Sequence, residues 1–177
     1  MRAILFVLLG LVVAGASAEG EVQQRQAMMK EIAEAMRQIN GMFRGQRPYD
    51  GLALATAAET VRARAGDAML DLFAEGSAGE DSQARPEIWE RPEEFAELAD
   101  HLERLAAIVA EAGMANPDVF SDDMRMRPGT PMGGGSLLGG RGMAWPAEGE
   151  TVPAEHAFHL MMETCASCHS SFRFRRD

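Results

Sequence analysis

The stretch HAFHLMMETCASCHSSF, residues 156–172, places Phe158, Met161 or Met162, Cys165, Cys168, His169 and Phe172 three or four residues apart. On an α-helix that spacing gathers them on one side, and no alternation of period two competes with it. Pro153 suits the first turn of such a helix. A helix with one apolar side must bury that side against partners, so the fold depends on what the rest of the chain supplies.

Working outward, three earlier segments repeat the pattern. In the first, Val22, Met29, Ile32, Met36, Ile39 and Phe43 are separated by seven, three, four, three and four residues and form one stripe, with Met28 off it. Arg25 is the only charged residue on that stripe, so it either sits at the edge of the core or meets a buried anion. Gly41 weakens the end of this helix, and Gly45 and Pro48 stop it. The second segment opens on Asp50 as N-cap and is expected to run to about Phe73, with Leu54, Val61, Ala65, Ala68 and Leu72 on one face before Gly76 and Gly79. The third begins near Pro92, carries Phe95, Leu98, Leu102, Leu105 and Val109, and is expected to stop at Gly113. Four helices of similar length, each apolar on one side, predict an all-α antiparallel four-helix bundle.

The chain's start and its charge bound where it works. Arg2, an apolar run from Ala3 to Ala14 and the small residues Ala16, Ser17 and Ala18 make the three-part pattern of a secretory signal, with cleavage expected after Ala18. The run is shorter than the roughly 20 residues a spanning helix needs, which disfavours an uncleaved anchor. Residues 19–177 then form one exported domain, in the periplasm of a bacterium. A net charge of −10 disfavours nucleic acid and anionic membrane surfaces as partners and favours solubility or a cationic protein. Arg173, Arg175 and Arg176 gather positive charge beside the last helix.

Residues 114–150, MANPDVFSDDMRMRPGTPMGGGSLLGGRGMAWPAEGE, are rich in glycine and proline and lack periodicity, so they read as a long insertion between the third and fourth helices. Its thioethers, Met124, Met126, Met132 and Met143, are soft ligands that would suit copper(I), but no histidine or cysteine joins them, and methionine is common throughout this chain. Trp145 is expected to tack the insertion onto the bundle.

The chemistry lies in the only two cysteines. Cys165, Cys168 and His169 stand at i, i+3 and i+4, so both sulfurs and the imidazole leave one helix face. Two thiols so placed can form thioethers to the vinyl groups of one haem while the imidazole reaches the iron, and C-x-x-C-H is the signature of that attachment. A thioredoxin-type pair would follow a strand, whereas here a helix precedes. A zinc site would have to recruit His156 or His159 at a spacing that matches no common zinc pattern. A disulfide across one helical turn would close too short a loop to stabilise much. Together with the export signal, the motif favours covalently bound haem c. No catalytic acid, base or nucleophile is evident, so no enzyme activity is expected.

RQAMMKEI (25–32), LFAEGS (72–77), RPEIWERPEEF (85–95) and CASCHSSFR (165–173) together give the chain a resemblance to the cytochromes c′ and their low-spin relatives, the class II cytochromes c. The resemblance implies the bundle again, with the haem near the C-terminus, Cys165 and Cys168 as thioether residues and His169 as proximal ligand. It implies Arg173 as a cation on the proximal side, Arg25 at a haem propionate, and Met29 over the distal face. Iron ligated by His169 and Met29 would be six-coordinate and low-spin, suited to passing one electron to and from redox proteins. Members without a ligand there are five-coordinate and resemble binders of nitric oxide or carbon monoxide; a Met-rich copper-handling protein is the third alternative. A homodimer through the first two helices is consistent with the family. Arg91 stands where members often carry a capping aspartate, and His101, His156 and His159 read as partly exposed helix residues.

Overall fold

The computed structural model describes residues 13–127 and 151–175, with side chains from residue 19 onward. Six α-helices follow one another: α1 (Val13–Phe43), α2 (Gly51–Arg62), α3 (Asp67–Leu70), α4 (Glu87–Glu90), α5 (Pro92–Ala115) and α6 (Ala154–Phe172). A 3₁₀ turn, Asp71–Phe73, extends α3. The long helices α1, α2, α5 and α6 form the bundle, and the described residues contain no strand, only an isolated antiparallel bridge between Ala84 and Arg173.

The long helices run antiparallel. Phe43, at the end of α1, packs edge-on against Phe158, near the start of α6, with ring centroids 5.5 Å apart. Phe95, at the start of α5, meets Phe172, the last residue of α6, at 5.4 Å. Gly51 and Gly113 bring the start of α2 against the end of α5. Ile39, Leu54, Val61, Leu105, Val109 and Met161 fill the middle of the bundle. α2 packs chiefly on α5 and α1, and α5 on α6.

The caps read from sequence hold. Asp50 Oδ1 accepts from Ala53 N at 2.9 Å, and Pro92 occupies the first turn of α5. Gly45, at φ 65°, turns the chain out of α1.

Four expectations are corrected. α2 ends at Arg62, not near Phe73, because Gly66 adopts φ 53° and its N–H leaves the helix for Ala99 O, 3.2 Å away on α5. The buried face slips one residue across that break, so Met69 is buried and Ala68 exposed. Gly113 does not stop α5, which runs through it to Ala115. A Cβ there would sit 2.6 Å from Gly51 O and 2.9 Å from Ala55 N, so glycine is what lets α2 and α5 cross so closely. The expected insertion begins two residues late, since Met114 and Ala115 are helical, and its first part is folded. There Phe120 stacks on Phe43 and on Tyr49 at 5.1 and 5.6 Å, and Met124 is buried in the core. Lastly, Met28 belongs to the core stripe of α1, at 5 % exposure, while Met29 stands at its edge.

Candidate functional site

α1 and α6 face each other across a cavity of about 520 Å³ near the N-terminal half of α1 and the C-terminal end of α6. Met29 lines it from α1, Cys168 and His169 from α6. Its apolar walls are Val22, Ile88 and the rings of Phe73, Phe95 and Phe172, which stack edge to face at 5.0 and 5.4 Å, and Arg25, Lys30 and Arg173 line it as cations.

The end of α6 is held by a distant piece of chain. Beyond Phe172 the backbone extends, and Arg85 N donates to Phe172 O while Phe174 N donates to Gln83 O, both at 2.9 Å. Arg173 Nε donates to Gln83 Oε1 at 2.9 Å, so this cation is fixed in the cavity lining next to His169. Arg91 does not cap α5 with its side chain; its guanidinium covers the Phe172 ring at 5.0 Å and pairs with Glu94.

Arg25 is 5 % exposed, which answers the question its stripe position raised. Its Nε donates to Leu72 O at 2.5 Å, its Nη2 donates to Ser77 O at 2.8 Å and to Ser77 Oγ, and Glu21 lies 3.7 Å away. Its face covers the Phe73 ring at 4.5 Å. Nη1 is buried without a hydrogen-bond partner. Desolvation lowers the Arg25 pKa, with Glu21 opposing that shift, but a guanidinium stays charged. The site therefore holds a buried cation with one donor left over, on the wall of a cavity.

Burial pushes the Cys168 thiol up to about 12, aided by Cys165, and raises Cys165 as well. These thiols are poor thiolates, the reverse of a thioredoxin-type or thiolate–metal centre. His169 opens onto the cavity; desolvation and then the nearby Arg173 hold its pKa below the ordinary value, so the ring is neutral and its lone pair free to coordinate. Cys165, one helical turn before Cys168, is half-buried against the core and is not among the residues lining the cavity.

Among the described residues no three His, Cys, Asp or Glu side chains converge on a point that could hold a metal ion. His156 and His159 are partly exposed as expected, but His101 is a correction: it is 4 % exposed, because α5 turns it inward to Thr164. Thr164 Oγ1 gives its proton to Leu160 O at 2.8 Å, so His101 Nδ1, 3.0 Å away, is the donor to that oxygen. Met124 Sδ lies 3.6 Å from the Tyr49 hydroxyl inside the core, which removes it from any exposed methionine cluster. Met132, Met143 and Trp145 lie outside the described residues. Sequence reading gave no site role to Ser77, Gln83, Phe73 or Phe95; LFAEGS holds Phe73 and Ser77 and RPEIWERPEEF holds Phe95, but Gln83 lies between the two stretches, and nothing local gives a loop serine or glutamine a role.

A family model described as Cytochrome C' matches residues 20–126. The chain belongs to the cytochrome c′ family. The match ends within the insertion, so C-x-x-C-H, which lies beyond it, is an independent observation. Cytochrome c-554 of Cereibacter sphaeroides is 34% identical over 112 residues, 62% of this chain and 72% of that protein. Cytochrome c' of Rhodopseudomonas palustris is 27% identical over the whole of both chains. Among solved structures, cytochrome c prime from Shewanella frigidimarina overlays with a TM-score of 0.63 at 20% identity, covering 89% of this chain and 97% of its own. A nitric oxide complex of the L16A mutant of cytochrome c prime from Alcaligenes xylosoxidans overlays at 0.62 and 19%, covering 90% and 97%. Members of this class II cytochrome family carry covalently attached haem c as electron-carrying proteins, and this chain shares that cofactor.

The residues present fit such a group. The cavity has the size of a cofactor pocket, aromatic and aliphatic side chains line much of it, and its charged lining residues are cations with no carboxylate among them. Arg25 lines the cavity and its Nη1 is a buried donor without a hydrogen-bond partner, which suits an anionic group.

Proposed function

We propose that this cytochrome is an exported one-electron carrier whose haem is held by thioethers from Cys165 and Cys168, with His169 and Met29 as axial ligands. The observation that carries the proposal is that Met29, from α1, lines the same cavity as Cys168 and His169, from α6, while its neighbour Met28 is committed to the core. A thioether from one helix and a neutral imidazole from the other supply the ligand pair that suits electron transfer without a change of ligands. When bound, haem c supplies the one-electron redox couple. The chain positions and insulates it. Phe73, Phe95 and Phe172 exclude water, Arg25 offers Nη1 to a propionate while Leu72 O and Ser77 hold the rest of the guanidinium, and Gln83 holds Arg173 on the proximal side.

Export from the cytoplasm of a bacterium, with cleavage after Ala18, belongs to the same proposal. It would leave α1 from residue 19 onward, with Val22, Arg25 and Met29 all retained. The N-terminal mass of the purified protein tests it.

Optical spectra test the ligand set. The reduced protein is expected to show sharp low-spin bands and to react slowly or not at all with carbon monoxide. Met29→Ala is expected to give high-spin iron that binds carbon monoxide at once, with haem retained because the thioethers hold it independently. A parent protein that is already high-spin and open to carbon monoxide would move the function to gas binding, and a Met29→Ala spectrum identical to the parent's would remove Met29 as ligand.

A further inference from the structure

The cavity differs in charge from the protein around it. The whole chain has 27 acidic against 17 basic residues, yet of the sixteen residues lining the cavity three are cationic, Arg25, Lys30 and Arg173, and none is acidic. Arg25 is buried, but Lys30 and Arg173 are exposed at the mouth, and Arg175 is exposed two residues further on. Among the described residues no carboxylate lies within ion-pair distance of these three. Three carboxylates of the neighbouring elements are engaged with other cations, Glu21 with Arg25, Glu31 with Arg64 and Glu87 with Arg85, and Asp81, beside Ser82 of the lining, is in none of the ion pairs. Between Arg173 and Arg175 stands Phe174, 52 % exposed, anchored through its backbone to Gln83 of the cavity lining and flanked by Arg85 at 5.9 Å. An exposed aromatic between two arginines that pair with no described carboxylate, with a third, Glu87-paired arginine beside its ring, is the composition of a docking patch rather than of a solvated surface.

We propose that this mouth is the face through which electrons are exchanged, and that its partner there is a redox protein with an acidic docking surface. The proposal rests on the electron-carrier reading above. It reverses the sequence-level expectation of a cationic partner, for a physical reason. At physiological ionic strength the screening length is about 8 Å, so a partner seated at the mouth feels Lys30, Arg173 and Arg175 more than the sum of charges over the far surface. Local sign, not net sign, sets steering at that distance.

Two small oxidants of opposite charge read the local sign. In each case one electron passes from the reduced protein to the probe, turning hexacyanoferrate(III) into hexacyanoferrate(II) or tris(phenanthroline)cobalt(III) into the cobalt(II) complex, with no bond or proton transferred. Ionic strength is raised from about 0.01 M to about 1 M, which shortens the screening length from about 30 Å to about 3 Å. The expected result is that oxidation by hexacyanoferrate(III) slows by about tenfold as salt rises while oxidation by the cobalt cation speeds up. Lys30→Gln combined with Arg175→Gln should flatten the hexacyanoferrate(III) dependence and meet the parent rate at high salt, where charge is screened and only an intact fold gives equal rates. The opposite slopes, as the net charge of −10 alone would give, would overturn the proposal, as would a double variant that keeps the parent's salt dependence. Oxidation by neither probe at any ionic strength would overturn the electron-carrier reading itself, and the docking face with it.

Discussion

Arg25 shows how one side chain can join two elements and a cofactor site. Its guanidinium satisfies Leu72 O and Ser77 from the turn after α3, stacks on Phe73, and keeps one donor for the cavity. Arg25→Leu strips the donors from two carbonyls in a desolvated place, so it should lower stability by about 2–4 kcal/mol in denaturant unfolding of the haem-loaded protein. It should also lower the reduction potential, since a cation beside the haem favours the reduced form. His101 is the second informative residue. Desolvation, and then Arg104, hold its pKa below the ordinary value near 6.5 in the folded chain. The unfolded chain then binds a proton that the folded one refuses, so stability is full above about pH 6.5 and falls as pH drops through that value toward the lower folded pKa. His101→Gln should remove that part of the slope, measured as the difference between the two proteins' unfolding free energies against pH. From sequence, Arg25 stood out because a charge interrupted an apolar stripe. His101 did not, because its burial depends on Thr164, 63 residues away.

At the scale of elements, the spacing of apolar residues was enough to place α1, α5 and α6, whose stripes are long, with only Arg25 breaking that of α1. It failed at α2. Ala65, Ala68 and Leu72 continue the stripe on paper, but Gly66 takes a left-handed φ and gives its N–H to α5, a tertiary bond that no local pattern records. The two glycines read as helix stoppers divide in the same way. Gly45 does stop α1, while Gly113 is a point of contact inside α5. Gly113→Ala would drive a methyl group into Gly51 O and Ala55 N, backbone atoms that cannot swing aside. It should cost about 1–3 kcal/mol in chemical denaturation, with the helical far-UV signal of the native state retained. Met28 and Met29 were separable only once the twist of α1 was fixed, since adjacent residues 100° apart straddle the boundary between core and cavity.

For the whole molecule, the bundle is unevenly closed. α2, α5 and α6 bury continuous seams, and α1 leans on α2, but α1 and α6 meet around the cavity instead of through side chains packed directly on each other at that end. In the proposed site the haem group stands in for part of a helix–helix interface. A Cys165→Ser, Cys168→Ser variant that cannot retain the group should keep the α2–α5 seam protected while amides between about residues 22 and 33 of α1 exchange faster by at least about tenfold in native-state hydrogen exchange. Equal protection in the two proteins would mean that α1 and α6 hold together unaided. The part of this architecture that sequence left unread is the one supplied by distant loops, Ser77 against Arg25 and Gln83 against Arg173, because neither residue type announces a partner.

The clasp of residues 83–85 on the end of α6 also has a consequence in time. α6 follows the other three long helices in the chain, and once it is docked its two thiols are half-buried. On the proposed attachment, joining haem to Cys165 and Cys168 belongs to the interval before the clasp closes, while both sulfurs on α6 are still open. Maturation of this protein is on that account a race between a chemical step and a folding step, and any change that hastens docking of the empty helix should raise the yield of a well-folded but colourless product.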